Sequence, residues 1–180
     1  MPFVFLIVAL TSISTSALAE TQHKHGAHAN PYAGQEDRAI KSLTDDDIRQ
    51  LRAGQGWGLA KAAELNGVPG PAHLLELKDQ IPLDENQVRQ IQALFEKMQY
   101  DAARLGAALI KHEATLETHF SDGTITDPRL RATLADIAET RRELRYTHLA
   151  AHLETPRILS KHQIARYNAL RGYKGHGHAH

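Results

Sequence analysis

Two histidines four residues apart, His148 and His152, stand in the segment THLAAH, which is otherwise typical of a helix. At that spacing both imidazoles lie on one face of a helix, one turn apart. The chain contains 12 His and no Cys, so it would bind a transition metal through imidazole and carboxylate rather than thiolate. The pair is therefore either part of a metal site, or a packing residue beside a solvated one. The choice depends on what faces it.

Three helix starts share one pattern and define the elements around this pair. Thr44, Asp84 and Ser160 each have the side-chain oxygen that an N-cap needs. An Asp or Gln follows each of them three residues later, where a capping box closes. Shorter helices are predicted near residues 45–53, 57–65, 71–80 and 160–171.

Two long helices are predicted between these short ones. The first begins at Asp84, and its apolar positions recur every three or four residues, as in a packed seam. This stripe consists of Val88, Ile91, Phe95, Met98, Ala102, Leu105, Leu109, His112, Leu116 and His119. The second is capped by Asp127 and reaches about Thr155, where Pro156 bends or ends it. No alternating strand pattern is evident, so the predicted fold is all-α. It is a long antiparallel helical hairpin with short flanking helices, and a dimer would bury its thin seam.

The hairpin register indicates which side chains face the histidine pair. If the turn centres near Thr124, then Glu96 faces His152. His112 lies roughly 18 Å from His148 along the axis, which is too far to share a site within one subunit. The short helix before the hairpin places the imidazole of His73 at the open end of the hairpin. The predicted metal ligands are His73, Glu96, His148 and His152, with Met98 or Asp101 as a further alternative. Three nitrogens and one carboxylate suit a divalent transition metal such as zinc, nickel, cobalt or copper.

The chain divides into five segments by composition. Residues 1–19 combine an apolar run with a small-x-small site, as in a cleaved secretory signal. Residues 20–42 form a polar, His-containing lead that we expect to be disordered. Residues 43–70 are a short helical extension without an assigned role, and residues 71–173 are the hairpin domain. Residues 174–180 are a His-rich tail. The mature protein is therefore expected in the periplasm, without stable membrane insertion.

Charge and motifs exclude several function classes. Lys and Arg together number 21 and balance 21 Asp and Glu, so no nucleic-acid-binding footprint is visible. A Gly-rich phosphate loop, a G-x-S-x-G elbow and an H-E-x-x-H motif are all missing from the sequence. The protein is therefore expected to be non-enzymatic.

The segments LDENQ (83–87) and LSKHQ (159–163) resemble the doubled LTxxQ motif of the Spy/CpxP periplasmic family. The resemblance covers about residues 71–173. It is most similar to the heavy-metal sensor and zinc-responsive branch, where a Glu on the first long helix and a His with a Met four residues on bind metal. By this resemblance His148 matches that His, His152 takes the place of the Met, and Glu96 lies within one residue of the Glu.

The resemblance implies a homodimer that binds divalent transition metal and acts in heavy-metal or envelope-stress response, with a sensor protein as a possible partner. The alternative is a metal-independent chaperone that holds unfolded periplasmic clients on the dimer surface. A third alternative is an accessory protein whose His-rich ends buffer metal.

Overall fold

The computed structural model of the protein describes residues 30–173, and regular structure within that range is entirely helical. The helices are α1 (Asp45–Arg52), α2 (Lys61–Glu64), α3 (Pro71–Glu76), α4 (Glu85–Ser121), α5 (Asp127–Ile158) and α6 (Lys161–Leu170). The two longest, α4 and α5, pack against each other. The all-α prediction is confirmed. The expected signal sequence (1–19) and His-rich tail (174–180) lie outside the described residues.

The three predicted helix starts are confirmed. The side chains of Thr44, Asp84 and Ser160 each accept a hydrogen bond from the backbone N–H three residues later, and each capping box is closed. None of the described helices combines the length and the apolar character needed to cross a bilayer.

The start and the end of α5 differ from expectation. Thr126, rather than Asp127, is the N-cap, and its hydroxyl accepts a bond from the N–H of Arg129. Pro156 does not end the helix, which continues to Ile158. A proline lacks the N–H that would bond one turn back, and its ring crowds the carbonyl there, so a helix that retains it loses one hydrogen bond and some stability.

The two glutamines of the repeated motif join three helix ends. Gln87 and Gln163 exchange amide hydrogen bonds of 2.8 and 3.0 Å. The remaining Nε2 proton of Gln87 goes to the carbonyl of Ile158, and that of Gln163 goes to the carbonyl of Pro82. These bonds hold the first turns of α4 and α6 beside the last turn of α5.

The buried stripe of α4 drifts away from the predicted seam. Gly106 and Glu113 are buried, whereas Leu105 is only partly buried and His112 is intermediate. A straight helix repeats every 3.6 residues, so its buried face moves off a 3.5-residue seam over several turns. On α5, Leu134 is 46 % exposed.

The segment before α1 packs against the long helices. Ile40 and Leu43 share an apolar cluster with Leu109 of α4. The Ser42 hydroxyl donates a 2.8 Å hydrogen bond to the buried carboxylate of Glu113. The lead was expected to be disordered as far as residue 42, but its last residues are part of the core. The extension of residues 43–70 continues this packing.

A less apolar layer separates two apolar clusters along the long helices. The first cluster includes Ala102 and Leu144, and the second includes Ile91, with Ile158 packed against it. The buried residues between them on α4 and α5, which we term the middle layer, are Met98, His148, Ala151, His152 and Thr155. Polar side chains in a core stabilise the fold less than apolar ones would, and such exceptions are typical of functional sites.

Gly106 provides the sharpest test of this packing. In an isolated helix, Gly→Ala stabilises by about 1 kcal/mol. Here a Cβ at position 106 would lie 2.2 Å from the Leu51 carbonyl oxygen. We therefore expect Gly106→Ala to lower the free energy of unfolding by about 1–3 kcal/mol, as measured by urea denaturation. Gly56→Ala is the control, since a Cβ there meets nothing within 4 Å. A stabilised Gly106→Ala protein would contradict the docking of α1 on α4.

Candidate metal centre

Three of the four predicted ligands line one cleft with a volume of about 410 Å3. His148 and His152 come from α5, and His73 comes from α3. Gly54, Ala60, Glu64 and Gly70 contribute from the segments before α3, and Phe95, Met98 and Gln99 contribute from α4. The cleft therefore lies between the extension and the long helices.

His152 is oriented by a backbone carbonyl. Its ring is 5 % exposed, and its Nδ1 lies 2.9 Å from the carbonyl oxygen of Val68. Because a carbonyl only accepts, Nδ1 must carry the proton of this hydrogen bond. In the neutral ring Nε2 then bears the lone pair, and it lies 3.9 Å from Oε1 of Glu64. Metal-ligating histidines are typically held in this way through their other nitrogen.

Gly70 leaves room for this ring. A Cβ at position 70 would lie 2.4 Å from both Cε1 and Nε2 of His152. No other residue type fits there without displacing the imidazole. The glycine thus keeps side-chain atoms away from the nitrogen that carries the lone pair.

His73 repeats the arrangement from the other side. Its Nδ1 lies 2.8 Å from the carboxylate of Glu76, and its Nε2 lies 3.2 Å from Oε1 of Glu64. A carboxylate only accepts hydrogen bonds, so Nδ1 is the donor to Glu76. In the neutral tautomer that donates to Glu76, Nε2 bears the lone pair and faces Glu64.

Glu64 is the point at which these groups meet. Its Oε1 faces the Nε2 atoms of His73 and His152, and its Oε2 lies 3.6 Å from a guanidinium nitrogen of Arg171. A carboxylate oxygen beside two imidazole lone pairs is electrostatically unfavourable unless a cation is shared among them. That cation is either a proton on an imidazole or a metal ion. The geometry therefore favours a site that binds cations.

His148 lies deepest in the cleft. Its side chain is 2 % exposed, and Nε2 lacks a hydrogen-bond partner within residues 30–173. Burial, and secondarily the neighbouring His152, lowers the pKa of His148 below its ordinary value. The ring is therefore neutral near pH 7, which is the state that ligates metal. A buried nitrogen without a hydrogen bond is unfavourable, and coordination of a metal ion by this nitrogen would remove that cost.

Tyr167 is a buried neighbour of Glu64. It is fully buried, and burial together with the charge of Glu64 raises its pKa to about 12. The phenol is therefore uncharged at neutral pH. It adds no competing anion beside Glu64.

Glu96 lies outside this arrangement. It is exposed, accepts a 2.8 Å hydrogen bond from Gln92, and is not among the described residues that line the cleft. The residue before it, Phe95, lines the cleft, and one residue turns a helix by about 100°. The carboxylate that faces His152 is Glu64, in the extension whose role the sequence did not indicate.

No pattern in the sequence identified Glu64. It lies nine residues before His73 on a separate four-residue helix, α2. Its approach depends on the chain reversal at residues 67–70, where Gly67 has a positive φ of 74°. The glycines and prolines of residues 67–71 are typical of a turn, but they do not indicate which side chains the turn brings together.

As they stand, the side chains of four residues are not close enough together to share a metal ion. These residues are Glu64, His73, His148 and His152. Within residues 30–173, no group of three or more His, Asp or Glu side chains is already arranged to hold a metal ion. Coordination would therefore require side-chain movement, chiefly of Glu64 away from Arg171. In the described arrangement, hydrogen bonds and ion pairs hold His152, His73 and Glu64.

Comparisons of the chain with protein-family models, with curated proteins and with solved structures return no match.

The burial of His148 predicts a pH dependence of stability in metal-free solution. Below about pH 6.5 the unfolded chain binds a proton at this position, whereas the folded chain resists it because its pKa is lowered. The contribution of His148 is thus complete above pH 6.5 and is lost as pH falls below it. We expect the free energy of unfolding, measured from pH 7.5 to 5, to fall less steeply in His148→Leu than in the parent. Parallel curves would contradict a buried neutral His148.

Proposed function

We propose that this protein is a non-enzymatic, exported protein that binds a divalent transition metal ion in the cleft and acts in heavy-metal or envelope-stress response. One observation carries the proposal. The Nε2 atoms of His73 and His152 both face one oxygen of Glu64, and the Nε2 atom of His148, in the same cleft, has no partner in the described chain. We infer that the shared cation is a metal.

The proposed ligands are His73, His148 and His152 through Nε2, together with the carboxylate of Glu64. This set differs from the sequence prediction in one member, since Glu64 replaces Glu96. Three imidazoles and one carboxylate suit zinc, nickel, cobalt or copper(II). A bound metal ion would supply positive charge between the imidazoles and Glu64, in place of a proton.

The surrounding residues prepare these ligands. The Val68 carbonyl and the Glu76 carboxylate each hold a histidine through Nδ1, which fixes the tautomer and directs Nε2 toward Glu64. Arg171 holds the second oxygen of Glu64. It thereby neutralises the carboxylate when no metal is bound.

The site would connect two parts of the fold. Glu64 and His73 belong to α2 and α3, whereas His148 and His152 belong to α5. A metal ion that bridges them adds its binding free energy to the docking of the extension on the long helices. Tighter docking is the change that a sensor partner would detect.

Other parts of the proposal rest on the sequence patterns, and the resemblance to the Spy/CpxP family adds to them. They are export through the signal sequence of residues 1–19, an antiparallel hairpin formed by α4 and α5, and a homodimer. The contacts of Gln87 with Ile158 and of Glu113 with Arg141 support antiparallel helices.

Two chemically identical substitutions test the ligand set. Glu64→Gln removes the anionic ligand, whereas Glu96→Gln makes the same change on an exposed face. We expect the first to weaken zinc and nickel binding by roughly tenfold or more, and the second to leave binding unchanged, by calorimetric titration of the full chain. His148→Ala/His152→Ala should remove the cleft site, whereas His162→Ala, at an exposed position, should not.

The His-rich ends are present in every variant of this series, so they contribute equally to each titration. Equal affinities of Glu64→Gln and Glu96→Gln would remove Glu64 from the site. If the double histidine variant bound as tightly as the parent, the cleft histidines would be packing residues. The proposal would then fail.

An exposed apolar surface supports the chaperone alternative. A groove with a volume of about 200 Å3 runs between α4 and α5, and Leu94 and Tyr146 line it together with the charged residues Lys97, Asp101 and Glu154. The exposed side chains of Tyr100, Tyr146 and Leu153 lie on the same two helices. Apolar patches of this kind commonly mark binding surfaces for other proteins.

The chaperone alternative makes a separate prediction. Tyr146→Lys/Leu153→Lys should abolish suppression of client aggregation, measured by light scattering of a reduced model protein, because charged groups disfavour apolar contact. Metal affinity should be unchanged. Suppression that persists in this variant, or that the parent lacks, would rule out chaperone activity on this surface.

A further inference from the structure

We propose that Met98 gives the cleft a second, softer ligand set, formed with His148 and His152, that binds cuprous copper. The inference rests on the proposed function, since it uses the same histidine pair. It adds a metal class that the imidazole and carboxylate set would not favour.

Met98 occupies an unusual place in the core. It is 8 % exposed and lines the cleft together with His148 and His152. Among the buried residues that the structure describes, it belongs to neither apolar cluster. It shares the middle layer with the two histidines instead. The only other methionine of the chain is Met1.

Charged and uncharged side chains both line the cleft. Glu64 and His73 lie beside the charged groups of Glu76 and Arg171. Phe95, Met98 and the desolvated ring of His148 also line the cleft and carry no charge near neutral pH. A monovalent cation needs less compensating negative charge than a divalent one, so it suits these uncharged side chains better.

Ligand softness leads to the same assignment. Thioether sulfur and imidazole bind Cu(I) well, whereas carboxylate favours harder divalent ions. The chain has no cysteine, so the thioether of Met98 is the sulfur ligand available at the cleft. His148 contributes a neutral nitrogen that has no partner in the described chain. Two imidazoles and one thioether give a three-coordinate set.

The histidine pair would therefore serve two metals with different third ligands. Glu64 would complete the set for zinc or nickel, and Met98 would complete it for Cu(I). Replacing Glu64 should therefore weaken the binding of zinc or nickel only, and replacing Met98 should weaken the binding of Cu(I) only. This separation makes the inference testable independently of the site as a whole.

The experiment is an anaerobic competition titration of the full chain with Cu(I), using a chromophoric chelator, and a parallel titration with Zn(II). Met98→Leu is the test variant because it replaces the thioether by a side chain of similar volume. We expect it to weaken Cu(I) binding by roughly tenfold or more while zinc affinity stays unchanged. Glu64→Gln should show the reverse preference.

X-ray absorption of the copper-loaded parent is the second measurement, and it applies even if Met98→Leu folds poorly. Sulfur bound to copper must come from a methionine, since cysteine is missing from the sequence. A shell of nitrogen and oxygen alone, or unchanged Cu(I) affinity in a folded Met98→Leu protein, would overturn the inference and leave the divalent site intact. If His148→Ala/His152→Ala retained full zinc and Cu(I) affinity, the proposed function would fail as well.

Discussion

The cleft depends on the close approach of residues 51–70 to the long helices, which glycines alone permit at three positions. A Cβ at Gly54 would lie 2.3 Å from the Gln99 carbonyl oxygen, one at Gly106 would lie 2.2 Å from that of Leu51, and one at Gly70 would meet the ring of His152. Without this approach Glu64 would not reach the histidines. The hydrogen bond from His152 to the Val68 carbonyl would also be lost. The positions of the side chains in the cleft therefore depend on this close backbone contact.

The middle layer shows how the long helices accommodate this chemistry. The apolar clusters on either side, built around Ala102 and Ile91, stabilise the packing of α4 on α5. The layer between them buries two imidazoles, one of which has an unpartnered nitrogen within the described residues. An aliphatic pair at these positions would be more stable, because a buried polar atom without a partner is unfavourable. The proposed binding of a cation by these histidines would offset this cost.

Local signals in the sequence predicted much of the fold. The caps at Thr44, Asp84 and Ser160 are chemical patterns within a few residues, and each is present as predicted. The local patterns did not predict which residues of α4 face its neighbours in the fold. The expected seam passed through Leu105 and His112, whereas Gly106 and Glu113 are buried, because a small residue and an ion-paired carboxylate are not recognised as core by their hydropathy. For the candidate site, the sequence predicted that the histidines on α3 and α5 lie together, and they line one cleft. It did not indicate Glu64, since no periodicity connects α2 to α5.

The most direct test is the crystal structure of the full chain grown with one equivalent of nickel, with data collected on both sides of the nickel absorption edge. The account predicts an anomalous peak in the cleft, bonded to Nε2 of His148 and His152, with Glu64 turned away from Arg171. A cleft without an anomalous peak, with Glu64 still paired to Arg171 and the nickel on other histidines, would contradict the central claim.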